Sequence, residues 1–154
     1  MSKRRFSLLV ILGLTVSACA GKLTPGTSLV SGALPANSAK LTIKRTGERL
    51  YDARPVTVEV NGKKVADIAA DDSITIAIAA GPTTLAVYAP AHPGKFAVNI
   101  QADAGRSYTA EVSPRAESYI PVAALGAFGA ALDAALNENA GAFKLRLVSA
   151  SMAS

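Results

Sequence analysis

The residue best suited to covalent chemistry is Cys19, the single cysteine of this 154-residue chain. It follows a basic start, residues 3–5, and an apolar run from Phe6 to Val16. This order is that of a secretory signal peptide. The run is well short of the roughly 20 apolar residues that span a bilayer. A lone cysteine forms no intrachain disulfide, and its place at the end of the run indicates a modified thiol rather than a free one.

The stretch Leu14-Thr15-Val16-Ser17-Ala18-Cys19 resembles the lipobox of bacterial lipoproteins, with Val16 where leucine is commonest. The resemblance implies a thioether-linked diacylglyceryl group on Cys19, cleavage between Ala18 and Cys19, and acylation, such as by palmitate, of the new amino group. Two or more acyl chains give stable membrane anchoring. In that family, Ala20 after the cysteine implies the outer membrane, so we expect a lipid-anchored protein of the cell envelope that faces the periplasm.

The charge of the chain is divided unevenly. The formal net charge of +5 falls to +2 when residues 1–18, with their three basic side chains, are removed. Residues 20–64 hold eight basic and three acidic side chains, whereas residues 65–154 hold five basic and eight acidic ones. The basic half is either a surface that lies against anionic head groups or a solvated face. A nucleic-acid partner is not expected, because no basic run is interleaved with aromatic residues.

Other candidates for catalysis or metal binding are weak. His92, the single histidine, lies between two prolines in a loop, and a lipidated Cys19 leaves no thiol for a zinc site. No Gly-x-Ser-x-Gly elbow and no phosphate-binding glycine loop occurs. Most of the acidic residues that could form a glycosidase pair read as turn or outward strand positions: Asp67, Asp71, Asp72, Asp103, Glu111 and Glu117. The sequence therefore predicts no enzyme, no metal and no cofactor.

From Ala39 to Pro114 the chain shows short runs of period two, closed by glycine or proline at intervals of about ten residues. Asn61-Gly62 predicts a type I′ hairpin turn, because both residues tolerate positive φ. A two-residue turn pairs Val60 with Lys63, Glu59 with Lys64, and Val58 with Val65. Glu59 and Lys64 are then expected opposite each other on the solvent face. This pattern predicts a mainly β fold, an antiparallel β-sandwich of Ig-like type.

Residues 121–137 are rich in alanine, with leucine and phenylalanine at helical spacing, and predict one C-terminal helix. This helix is expected either to lie over an edge of the sandwich or to contact the bilayer or a partner protein. Phe143, Leu145 and Leu147 predict a final strand after it. The expected domains are a signal peptide at 1–18, a flexible tether at 19–38, a sandwich with its helix at 39–148, and a tail at 149–154.

The run from Arg54 to Val65, with Ala80-Gly81-Pro82 and Ala104-Gly105-Arg106-Ser107-Tyr108, resembles PEGA-type lipoprotein β-domains, although the Pro-Glu-Gly-Ala tetrad is absent. The resemblance covers about residues 40–115. It implies a non-enzymatic sandwich, sometimes linked to the cell wall or to protein partners. We therefore expect a structural or protein-interaction module. The alternative is a glycan- or peptidoglycan-binding module whose contacts are expected at four exposed ring side chains: Tyr51, Tyr88, His92 and Tyr119.

Overall fold

The alternating segments of the sequence form eight strands in the computed structural model. The structure describes residues 28–30, 32–47, 54–117, 126, 128, 130–131, 134–135 and 139–152. The strands are β1 (Ser38–Arg45), β2 (Val56–Val60), β3 (Lys63–Ile68), β4 (Ser73–Ala79), β5 (Gly81–Tyr88), β6 (Phe96–Ala102), β7 (Arg106–Pro114) and β8 (Phe143–Met152).

The strands form two four-stranded sheets, consistent with the predicted β-sandwich. Sheet A has the order β4-β1-β7-β8, and sheet B has the order β3-β2-β5-β6. Neighbouring strands are antiparallel except β1 and β7, which run parallel with Leu41 opposite Tyr108. The prediction of a purely antiparallel sandwich is wrong at this pair. Its two strands are distant in the chain, so no turn between them sets their relative direction.

One apolar core joins the two sheets. The inward residues of β1, β4, β7 and β8 meet those of β2, β3 and β5 in a single buried cluster, which also includes Ala102 of β6. Phe96, Val98 and Ile100 of β6 pack against this cluster. Burial of each large aliphatic side chain stabilises the fold by about 1.5–3 kcal/mol. The largest fully buried apolar side chains are Phe143, Leu41, Ile43, Ile68, Leu85, Val56, Val58, Val87 and Val112.

The Asn61-Gly62 hairpin is confirmed, and its register is confirmed for the first two pairs. Asn61 and Gly62 have φ values of +50° and +76°, and Val60 lies opposite Lys63 and Glu59 opposite Lys64. The register then shifts between Val58 and Glu59, so that Val58 lies opposite Ala66 rather than Val65. A β-bulge of this kind inserts one residue into a strand, and the hairpin rule alone does not anticipate it.

The prediction of a helix at about 121–137 is wrong for the described part of the chain, which contains no helical element. Within this range the structure describes residues 126, 128, 130–131 and 134–135, and the other positions lie outside the described residues. Gly126 has a φ of +59°, which a right-handed helix does not accommodate. Gly126 and Gly129 each cost a helix interior about 1 kcal/mol relative to alanine, and the regular apolar spacing masks that cost. Phe128, the phenylalanine of that apolar spacing, has 67% of its surface exposed.

The segments at the two ends of the sandwich are tied to sheet A. Leu29 N–H donates to the carbonyl of Thr75 on β4 at 2.9 Å, so part of the predicted tether lies along the edge of this sheet. At the other edge, β8 continues to Met152, through residues of the predicted tail at 149–154. No helix among the described residues has both the length and the apolar character needed to cross a membrane.

Candidate binding surface around Tyr88

Two of the predicted site residues are described by the structure. Tyr88 is the last residue of β5, and His92 lies in the loop that follows it. Four predicted positions lie outside the described residues: Ala18, Cys19, Tyr51 and Tyr119. Of the four predicted contact residues, the structure therefore describes only Tyr88 and His92, which lie between β5 and β6.

His92 is held in its loop by its own neighbours. The backbone N–H of His92 donates to the backbone carbonyl of Ala89 at 3.0 Å, and this bond closes a turn. Its Nδ1 lies 2.9 Å from the carbonyl oxygen of Pro93. Because a carbonyl only accepts, this contact requires the proton on Nδ1. These two bonds hold the backbone and ring of His92 within the loop.

Tyr88 is engaged by Lys95 rather than by His92. The Nζ atom of Lys95 lies 4.6 Å from the centroid of the Tyr88 ring, a cation–π contact. The same Nζ donates to both carboxylate oxygens of Glu59, at 2.7 and 2.9 Å. Lys95 therefore covers one face of the ring that a sugar platform would need, and Tyr88 serves to hold the Lys95–Glu59 pair.

A second ion pair lies beside the first on the outward face of sheet B. Lys64 Nζ donates to Asp67 Oδ2 at 2.6 Å, and Thr57 Oγ1 donates to Asp67 Oδ1 at 2.6 Å. Thr57 lies opposite Tyr88 across β2 and β5, which brings the two pairs together. We refer to the following six side chains as the outer polar cluster: Thr57, Glu59, Lys64, Asp67, Tyr88 and Lys95.

The outer polar cluster is electrically neutral, because each of its two lysines binds one carboxylate. Hairpin register alone assigns Glu59 to Lys64, whereas Glu59 in fact pairs with Lys95, 36 residues away, and Lys64 pairs with Asp67. The alternation of β2 in the sequence already indicates a polar outward face, since Thr57 and Glu59 alternate with valines. Both are nevertheless buried, and no local rule identifies the residues that cover them.

The Lys64–Asp67 pair has a measurable consequence for titration. Burial raises the pKa of Asp67, but the hydrogen bonds from Lys64 and Thr57 and the charge of Lys64 outweigh it and hold that pKa below its ordinary value of 3.8. The hydrogen bond to Asp67 also raises the pKa of Lys64. Asp67 is therefore more acidic folded than unfolded. Its stabilising contribution is present above pH 3.8 and is lost as the pH falls through the lower folded-state pKa.

We expect an NMR titration of the Asp67 carboxyl to give a midpoint below 3.8. In Lys64→Gln the midpoint should rise, because the charge and the hydrogen bond are removed while burial remains. Lys63→Gln, one position earlier on the hairpin, should leave it unchanged. Since both partners are about half exposed, solvent screens their attraction, and the free energy of unfolding should hardly change. An identical midpoint in wild type and Lys64→Gln would contradict the assignment.

A cleft of about 390 Å³ lies at the other sheet, between the tether segment and the starts of β1 and β7. Its walls combine apolar residues of the tether segment with one basic residue, Lys40: Ser28, Val30, Gly32, Ala33, Leu34, Lys40 and Gly105. Among the described residues, no group of three or more His, Cys, Asp or Glu side chains is placed to hold a metal ion.

Comparison of the sequence with models of known protein families and with curated proteins finds no match.

Proposed function

We propose that this protein is a bacterial envelope lipoprotein, anchored by lipid at Cys19, whose β-sandwich acts without catalysis as a structural or protein-interaction module. The observation that carries the proposal is the order of the first 19 residues: a basic start, a short apolar run, and the single cysteine after Ser17-Ala18. The anchor would face the periplasm from the outer membrane, in keeping with Ala20 after the cysteine.

The architecture that follows Cys19 supports a tethered domain. The chain docks on the edge of sheet A at Leu29, and β1 begins at Ser38. Eight residues lie between Cys19 and Ser28 in the sequence, and the nine Cα-to-Cα steps from Cys19 to Ser28 reach at most about 30 Å when extended. The anchor would therefore keep the sandwich close to the membrane surface.

The outer polar cluster supports a role in structure rather than in catalysis. Glu59 and Asp67 each accept hydrogen bonds from a lysine, so both are held as paired carboxylates. A general acid or base must instead reach the proton of a substrate. The Lys95 ammonium over Tyr88 also weakens the case for a glycan platform at this ring.

Metabolic labelling with alkyne-tagged palmitate in a bacterial host tests the anchor directly. Wild type should incorporate the label, and mass spectrometry should find a mature chain that begins at an acylated Cys19. Cys19→Ala should incorporate none, whereas Ala20→Ser, the matched control, should label normally. A full-length wild-type chain with a free thiol and residues 1–18 still attached would refute the proposal.

A further inference from the structure

The outward face of sheet A, opposite the core, is basic and built from small polar residues. Lys40 and Lys44 on β1 and Lys144 and Arg146 on β8 alternate with buried residues, which places all four on this face. Glu111 on β7 is the single acidic residue at an outward position of the four described strands, so the face carries a net charge of +3. The remaining outward side chains are Ser73, Thr75, Ala77, Ala79, Ser38, Thr42, Ser107, Thr109, Ser113, Ser149 and Ser151. Val148, the extra residue at the register shift between β7 and β8, is also exposed.

The register places these residues in rows across the sheet. Lys44 lies opposite Glu111, and Glu111 lies opposite Arg146. In the next row, Thr42 lies between Thr75 and Thr109, and the Thr42 and Thr75 hydroxyls are 3.0 Å apart. Away from the cleft at Lys40, short side chains separate Lys44, Lys144 and Arg146 and make this part of the face level, which suits contact with another flat surface.

The outward faces of the two sheets differ in how their cations are paired. On sheet B, Lys64 and Lys95 bind Asp67 and Glu59 within 2.7 Å. On sheet A, none of the four cations forms an ion pair within the described part of the chain. Charge complementarity therefore points to an anionic surface as the partner of sheet A.

The tether meets the same sheet. Ser28 forms a parallel bridge with Thr75, and Leu29 N–H donates to the carbonyl of Thr75 on the edge strand β4. A chain that runs from an anchored Cys19 reaches sheet A first. Because the link from Cys19 to Ser28 spans at most about 30 Å, the basic face stays within a few Debye lengths of the head groups.

We infer that the outward face of sheet A lies against the anionic lipid head groups of the membrane that holds the anchor. The sandwich then lies flat on the bilayer and presents sheet B, with the outer polar cluster, away from it. This inference rests on the proposed lipid anchor, which supplies the proximity. The level part of the face, around Lys44, Lys144 and Arg146, is suited to a planar bilayer, whereas the cleft beside it contains only one of the four cations, Lys40.

Lysine footprinting of the purified lipoprotein, reconstituted by its own anchor on the outside of vesicles, tests this orientation. A membrane-impermeant acylating reagent labels exposed amines, and mass spectrometry reads each site. Vesicles of phosphatidylcholine with about 30% phosphatidylglycerol are compared with vesicles of phosphatidylcholine alone. Labelling of Lys44 and Lys144 should fall about threefold or more on the anionic vesicles and recover in high salt. Lys63, exposed on the sheet B hairpin, is the internal control and should not change.

A double variant adds a second readout. Lys44→Gln/Arg146→Gln should restore labelling of Lys144 on anionic vesicles, because each cation at such a surface strengthens binding roughly fivefold. Lys63→Gln, the matched control, should keep Lys144 protected. Equal labelling of Lys44 on both kinds of vesicle would overturn the inference, as would protection of Lys63 instead. So would protection of Lys44 by a soluble anionic polysaccharide but not by anionic vesicles. A chain that fails to reconstitute at all would instead count against the lipid anchor.

Discussion

Arg45→Ala is expected to lower the free energy of unfolding by about 3–5 kcal/mol, one of the two largest effects that we predict. Arg45 is the last residue of β1 and is 3% exposed. Its Nη1 donates to the carbonyl of Arg54 at 2.6 Å, just before β2, and to that of Ile68 at 3.0 Å, at the end of β3. One side chain of sheet A thus holds two chain segments of sheet B.

The loss of stability arises because the carbonyls of Arg54 and Ile68 lose their hydrogen-bond donor when Arg45 is replaced by alanine. A hydrogen bond from a charged donor contributes about 1.5–3 kcal/mol, and a buried carbonyl that loses its donor is costly. The guanidinium also lies 4.9 Å from the ring centroid of Phe143, which is fully buried, and a desolvated cation–π contact adds about 2 kcal/mol. The desolvation of the charge opposes these gains, which keeps the net effect below their sum.

Urea unfolding of three variants separates these contributions. Arg45→Lys keeps the charge but cannot reproduce the planar donor group, so we expect it to lose about 1–3 kcal/mol. Arg54→Ala is the matched control: Arg54 has an exposed side chain and offers only its carbonyl, so its loss should stay within about 0.5 kcal/mol. Arg45→Met keeps a side chain of similar length without the guanidinium. If it were as stable as wild type, the hydrogen bonds and the cation–π contact of Arg45 would make no net contribution, which would contradict the prediction.

Local patterns in the sequence predict the strands well because each pattern has a local cause. The Asn61-Gly62 turn sets its own register, and the pairs Val60–Lys63 and Glu59–Lys64 follow from it. Beyond two pairs the bulge beside Val58 intervenes. A bulge depends on how β2 fits both β3 and β5, which is information that a hairpin does not contain.

Long-range pairings are the part that the sequence does not predict. The parallel contact of β1 with β7 joins strands more than 60 residues apart, and no turn connects them. The predicted helix is wrong for a different reason. The apolar spacing of residues 121–137 favours a helix, but Gly126 has a positive φ, which a right-handed helix does not accommodate.

In the candidate site too, the local features can be predicted from the sequence and the long-range contacts cannot. Tyr88 and His92 are recognisable from sequence as residues near a loop, but the partners of Tyr88 are not. Lys95 comes from across that loop, and Glu59 comes from another strand. Arg45 was missed altogether, because an arginine at a strand end reads as an exposed charge until the segments that cover it are known.

Gly94→Ala is the other substitution with a large expected effect, and it acts where the loop after β5 touches the segment before β8. Gly94 has a φ of +91°, and a Cβ there would lie 2.7 Å from the Cβ of Ala140 and 2.8 Å from the backbone nitrogen of Gly141. Gly141, with a φ of +102°, is in the reciprocal position: a Cβ on it would lie 2.9 Å from the carbonyl oxygen of Gly94. Two glycines thus allow the two backbones to touch.

This contact fixes the approach of β8 to the sandwich. The side chain of Asn139 accepts a hydrogen bond from Ala97 N–H at 3.1 Å, and Arg115 N–H donates to the carbonyl of Ala142 at 2.9 Å. The segment is therefore tied to β6 on one side and to the end of β7 on the other. It cannot move away from an added methyl group without breaking one of these bonds.

We expect Gly94→Ala to lose about 2–4 kcal/mol, from the strain of a positive φ together with the steric overlap. Gly105→Ala isolates the strain, since Gly105 has a φ of +71° and no atom within 4 Å of a Cβ, and should lose only about 1 kcal/mol. Urea unfolding measures both. The double variant Gly94→Ala/Gly141→Ala should lose less than the sum of its single variants, because either methyl group opens the same contact. Equal losses for Gly94→Ala and Gly105→Ala would mean that the loop yields freely and that the touching backbones do not hold β8 in place.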